Sequence, residues 1–118
     1  VIFYIGNVFT IEETDDAAAS RPIAEGQVQP TTAIAQHKTL IERFANLGKL
    51  RSPDQMNPEG DGIFAIKARS GLRAYGWYHS RKRGTFVISH YICKKKQKLD
   101  PADLERAQRN RAKYEAIE

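Results

Sequence analysis

Residues 62–98 read GIFAIKARSGLRAYGWYHSRKRGTFVISHYICKKKQK, three β-branched and aromatic runs separated by two short polar links. Strands are expected over Ile63–Arg69, Arg73–His79 and Thr85–Cys93, because links as short as Ser70-Gly71 and residues 80–84 impose antiparallel hairpins. Alternation then sorts the side chains, with Phe64, Ile66 and Ala68 on one face and Ala65, Lys67 and Arg69 on the other. A two-residue turn would set Arg73 opposite Ala68, on the core face. A three-residue turn ending at Leu72 pairs Arg69 with Arg73 and Lys67 with Tyr75, and is preferred because it buries no unpaired arginine. In the third run Phe86, Ile88, His90 and Ile92 share a face.

Outward from this block the pattern changes. Ile34, Leu40, Ile41, Phe44 and Leu47 recur at three- and four-residue spacing from Thr32 onward, and Gly48 stands where a C-cap belongs, so a helix is expected there. Residues 49–61 hold two prolines and read as a connector. The opening VIFYIGNVF is a first strand, and residues 10–30, acidic and broken by Pro22, Gly26 and Pro30, read as a long loop or insertion with room for a short helix. Asp100-Pro101 starts a last helix, with Asp100 as N-cap. Its apolar stripe of Leu104, Ala107 and Tyr114 is thin, which leaves Arg106, Arg109 and Lys113 to water.

The chain has 118 residues, enough for one domain over residues 1–118 with one modest core, and a net charge of +5. That charge is uneven. Ten lysines and arginines face one acid over residues 61–98, whereas residues 1–30 hold five acids and one cation. A block of this kind suits a polyanion. Tyr75, Trp77, His79 and Tyr91 lie among the cations, and Tyr75 and Trp77 are placed to stack on bases. Arg81, Lys82 and Arg83 form a basic turn suited to RNA phosphates, while Lys94, Lys95, Lys96 and Lys98 gather at one sheet edge. His37 falls on the apolar side of its helix, and the acids of residues 12–16 are expected in water. The single Cys93 allows no internal disulfide and no thiolate cluster for zinc, which fits a reducing, cytoplasmic setting. No apolar run approaches the length of a membrane span.

Four motifs in order, Ile66-Lys67-Ala68-Arg69, Leu72-Arg73-Ala74-Tyr75, Val87-Ile88-Ser89-His90 and Lys94-Lys95-Lys96-Gln97-Lys98, followed by Pro101 and Ala107, resemble the RelE/ParE superfamily of toxin–antitoxin toxins, and within it the phage-associated HigB-like branch. The likeness is strong over residues 61–110 and fair over 34–60. It implies an α+β fold with an antiparallel sheet of about four strands, helices on one face and a basic concave surface on the other. It also implies a cytoplasmic toxin that cuts mRNA on the ribosome, held in check by a cognate antitoxin, with no cofactor or metal. By resemblance Lys67 and Arg73 stabilise the scissile phosphate with Arg69 beside them, and Lys94 and Lys95 match the basic pair after the last strand. The acid/base position departs from the family, since the stretch directly after Lys98 offers only Leu99, Asp100 and Pro101. His90, Tyr91, His79 and Tyr114 are the available substitutes, with His90 and Tyr75 nearest in register, and a lysine among crowded cations can also serve. A gyrase inhibitor of the ParE type and an RNA-binding module without activity are the alternatives.

Overall fold

A computed structural model describes residues 1–52, 54–94 and 100–117. The elements run β1 (Ile2–Ile5), β2 (Thr10–Glu13), α1 (Asp15–Glu25), α2 (Thr32–Leu47), β3 (Met56–Gly60), β4 (Ile63–Lys67), β5 (Leu72–Tyr78), β6 (Thr85–Cys93) and α3 (Pro101–Ile117). The strands form one sheet in the order β1-β2-β6-β5-β4-β3. It is mixed, because β2 runs parallel to β6 while the other neighbours are antiparallel. The sheet therefore has six strands where about four were expected: the opening strand is shorter than expected, ending at Ile5, and β2 and β3 are the strands that were not foreseen.

Residues 10–30 are not a loop: they hold β2 and α1. The Thr14 hydroxyl accepts from the Ala17 N–H at 3.0 Å and donates to the Ser89 carbonyl at 2.7 Å, capping α1 and tying it to β6. Asp15 and Asp16 in the first turn favour the positive end of the helix dipole. The buried face of α1 consists of Ala17, Ser20 and Ala24, small residues that let the helix lie close to the sheet. Helical spacing is present in them, but a stripe of small residues carries little hydrophobic signal beside Pro22 and Gly26. The acids before it are buried too. Glu13 pairs with Arg21 at 3.0 Å and accepts from the Tyr91 hydroxyl at 2.6 Å, and Glu12 pairs with Lys82 at 3.5 Å.

α2 matches its expected span, and Gly48 closes it in the left-handed region at φ 83°. It packs with α1 on one sheet face, where Ile11, Ile41, Phe44, Ile66, Ala74, Phe86 and Ile88 are buried. α3 covers the opposite face, against Ile63, Ala65, Tyr75, Trp77 and Val87. Helices thus lie on both faces, and the face that the family resemblance implies to be an open, basic, concave surface is covered. What sequence periodicity missed is that α3 docks through polar anchors more than through its thin apolar stripe. Arg106 grips Asp16 with two bonds of 2.8 and 2.6 Å, Asn110 donates to Asp16 and to the Ser89 hydroxyl, and Glu115 accepts from the Trp77 indole at 2.7 Å. Arg106 is consequently half-buried in an ion pair rather than left to water.

The β4–β5 turn has three residues, Arg69-Ser70-Gly71, closed by the Ala68 N–H donating to the Leu72 carbonyl at 2.9 Å. It ends one residue earlier than expected. Lys67 therefore pairs with Arg73 and Ala65 with Tyr75, while Arg69 sits in the turn. Parity is kept, so Lys67 and Arg73 share a face. In β6 the pairing slips between Gly76↔Ile88 and Tyr75↔His90, leaving Ser89 as an extra residue. This bulge turns His90 away from Phe86 and Ile88 and places it beneath α3. No helix among the described residues is long and apolar enough to cross a membrane.

Candidate nucleic-acid interface

A cleft of about 720 Å³ opens at the end of the sheet where the β4–β5 turn, the end of β6, α2 and the α2–β3 connector meet. Its walls carry Arg51, Lys67, Arg69, Arg73 and Lys94, with Asp54 as the one acid among the described lining residues. Asp54 pairs with Arg51 across 3.4 Å, which leaves four cations to set the field. Three local features bring them together. Lys67 and Arg73 are direct cross-strand partners, and like charges in that position repel by roughly 0.2–1 kcal/mol until an anion sits between them. Gly71 takes φ 101°, which the tight turn needs and L side chains resist. Its carbonyl accepts from the Lys94 N–H at 2.8 Å, and a Cβ there would stand 2.8 Å from the Lys94 carbonyl, so the bare glycine lets β6 deliver Lys94 to the turn.

Arg73 is buried, only 4% exposed, at the inner end of the cleft. Its guanidinium lies beside the Tyr75 phenol, whose pKa burial pushes up to about 12, so Tyr75 stays protonated at neutral pH. Such a cation, held in low dielectric at the bottom of an open cleft, acts more strongly on a bound anion than one in water.

The other residues singled out from sequence lie elsewhere. Tyr75 and Trp77 are fully buried beneath α3, so neither face of these rings is open to a base. His90 is buried as well, stacked on Tyr75 with ring centroids 5.1 Å apart. Its Nδ1 meets the Ser89 hydroxyl at 2.8 Å and its Nε2 meets Asp103 at 3.2 Å, and burial depresses its pKa. Serine, histidine and aspartate in sequence of contact resemble a nucleophilic relay, yet Ser89 has no exposed surface, which removes that chemistry and leaves an anchor for α3. Arg81, Lys82 and Arg83 stand at the opposite end of the β5–β6 hairpin from the cleft. There Lys82 pairs with Glu12, Arg81 donates to the Glu115 carbonyl, and the buried His79 accepts from the Arg81 and Lys82 N–H groups at 3.1 Å. Tyr91 and Tyr114 are engaged with Glu13 and Glu12. His37 is buried and donates from Nε2 to the Ile66 carbonyl at 3.1 Å. Lys95, Lys96 and Lys98 lie outside the described residues.

Sequence reasoning did not find the α2 side of the cleft. Gln36 and Leu40 from α2, with Arg51, Asp54 and Gln55 from the connector, complete the walls. Their only sequence signal was a second cationic position, Arg51, across from the basic block. Among the described residues no group of three His, Cys, Asp or Glu side chains is placed to hold a metal ion. A search of protein-family models finds none that matches the chain, and a search of curated proteins finds no match.

Proposed function

We propose that this chain is a RelE-like toxin of a toxin–antitoxin pair, an mRNA endonuclease that acts on the ribosome and is restrained by its antitoxin. The observation that carries the reading is the convergence of Lys67, Arg69, Arg73 and Lys94 on one cleft. Three of the four come from the first two of the ordered motifs that carry the resemblance, Ile66-Lys67-Ala68-Arg69 and Leu72-Arg73-Ala74-Tyr75, and the fourth opens the lysine run. The α+β architecture, a mixed six-stranded sheet with helices packed against it, is compatible with that reading at the level of fold class.

The chemistry follows from the charges. The ribose 2′-hydroxyl attacks the adjacent phosphorus, the bond from phosphorus to the 5′-oxygen breaks, and a 2′,3′-cyclic phosphate and a free 5′-hydroxyl result. Negative charge builds on the phosphoryl oxygens in the transition state. Arg73 and Lys67, fixed beside each other at the cleft floor, stabilise that charge, and Arg69 and Lys94 hold the flanking phosphates. Of the described lining groups, the Asp54 carboxylate is the one placed to take the 2′-proton, and solvent water supplies the proton to the leaving 5′-oxygen. Docking on the ribosome supplies the in-line geometry of the substrate.

A second reading, RNA binding without cleavage, is favoured by one observation: neither histidine nor tyrosine is found among the described residues that line the cleft. Induced expression with primer extension on translated messages separates the two. Cuts within codons and growth arrest, both lost in Arg73→Ala and Lys67→Ala, are the expected result. Intact messages with retained RNA binding support the second reading. Full toxicity of both variants refutes the site.

A further inference from the structure

The cationic cleft does not end at Gln36, Leu40 and Gln55. These three residues also wall a second cavity of about 360 Å³, completed by Ala35, Thr39 and Arg43. The two spaces are thus neighbours on a shared wall. The first is charged; the second is lined by amides, a hydroxyl, apolar surface and one arginine. Gln36, Thr39, Leu40 and Arg43 recur at three- and four-residue spacing, so one stripe of α2 forms the side of the second cavity. Leu40 is the buried apolar member of that stripe.

The polarity of this cavity is partly fixed. The Gln55 side-chain oxygen accepts from the Arg51 N–H at 3.1 Å, and the Gln55 and Met56 N–H groups return to the Arg51 carbonyl at 2.8 and 3.2 Å. A backbone N–H can bond only to the oxygen end of an amide, so the orientation of Gln55 is set and its NH2 is the end left to a ligand. Arg43 offers N–H donors and no acceptor. Thr39 and Gln36 can each donate or accept.

We propose that this second cavity is a base-reading subsite, taking the nucleobase next to the phosphate bound in the cationic cleft and selecting guanine over adenine. The proposal rests on the reading of that cleft as a single-stranded RNA site. Guanine presents two acceptors, N7 and O6, along one edge, which match the donors of Arg43 and Gln55. Adenine presents an amino donor in place of O6 and would leave donor facing donor. The exposed Ala35 and the edge of Leu40 that reaches the cavity supply its apolar surface, and an unstacked base in a single strand is free to enter.

The test is fluorescence anisotropy with short labelled oligoadenylates in which the central base is A, G, C or U and its 2′-hydroxyl is methylated to prevent cleavage. The wild-type chain is expected to bind the guanine oligomer on the order of tenfold more tightly than the adenine one, the scale of a bidentate base contact. In Arg43→Ala the ratio collapses toward one. In Gln55→Glu, whose carboxylate still accepts from the Arg51 N–H, the ratio moves toward the amino-bearing bases adenine and cytosine. Equal affinity for all four oligomers, or a guanine preference untouched in Arg43→Ala, overturns the subsite. If those oligomers still bind and Lys67→Gln weakens them, the cationic cleft stands and only the subsite falls. If no oligomer binds at low salt, or Lys67→Gln changes nothing, both fall.

Discussion

Replacing Lys67 by glutamine removes one of the four cations of the cleft left after Arg51 and Asp54 are paired, and keeps the strand intact because the Lys67 backbone N–H still donates to Gln55. Single-stranded RNA binding falls with salt as phosphates displace counterions, with a logarithmic slope of about −0.7 per neutralised phosphate. If Lys67, Arg69, Arg73 and Lys94 each meet one phosphate, the wild-type slope is about −2.8, and affinity falls roughly 50-fold between 50 and 200 mM salt. With three cations the slope is about −2.1 and the fall roughly 18-fold. The assay is anisotropy of a short labelled RNA titrated at four or more salt concentrations, with far-UV circular dichroism to verify the fold. Glutamine in place of Lys82, at the far end of the sheet and paired with Glu12, is the control and should leave the slope near −2.8, or about four phosphates. An unchanged slope in Lys67→Gln, or an equal loss in the Lys82 variant, would refute the assignment of binding to this cleft.

Trp77 is the sole tryptophan and lies under α3 with its indole held by Glu115, so saturating RNA should leave its emission maximum unshifted; quenching by direct stacking would contradict the position of α3. Gly76→Ala should lower stability by about 1–3 kcal/mol in urea melts, since the new Cβ would stand 2.3 Å from the Val87 carbonyl and 2.6 Å from the Phe86 ring. His37 and His90 both have pKa values depressed chiefly by burial, so the unfolded chain binds more protons than the folded one below about pH 6.5. Stability is accordingly complete above that pH and declines as pH falls toward the folded-state values. The urea midpoint measured from pH 7.5 to 5.5 should fall, and His37→Leu should lessen the dependence without abolishing it, because His90 remains.

The position of α3 has consequences beyond the histidines. The helix closes the Tyr75 face of the sheet, so the open cationic surface among the described residues lies at the sheet's end, where cations from several segments of chain meet. Its anchors tie the last helix to the first helix and to β2: Arg106 and Asn110 both reach Asp16 at the start of α1, and Tyr114 reaches Glu12 in β2. Much of the polar interior therefore serves assembly of the fold.

Sequence by itself determined the elements whose signal is local. The span of α2 with Gly48 at its end, the strand β6 and the Asp100-Pro101 start of α3 all follow from periodicity and capping, which act over a few residues, whereas the shared face of Lys67 and Arg73 also needed the odd length of the β4–β5 turn. The α1 helix was hidden because its buried face is made of alanine and serine, and β3 because Pro58 and Gly60 at a sheet edge carry no strand propensity. Tertiary structure alone decided which side of the sheet would be covered. Alternation says that two side chains share a face but not what lies over it, and a polar-anchored helix leaves no hydrophobic stripe to announce where it will dock. Tertiary structure also decided that the bulge at Ser89 would turn His90 inward, since one extra residue reverses every later side chain in the strand. The cationic cleft itself is shared between the two: its charges are written in residues 67–94, and its far wall exists only because folding brings Gln36, Arg51 and Gln55 across from them.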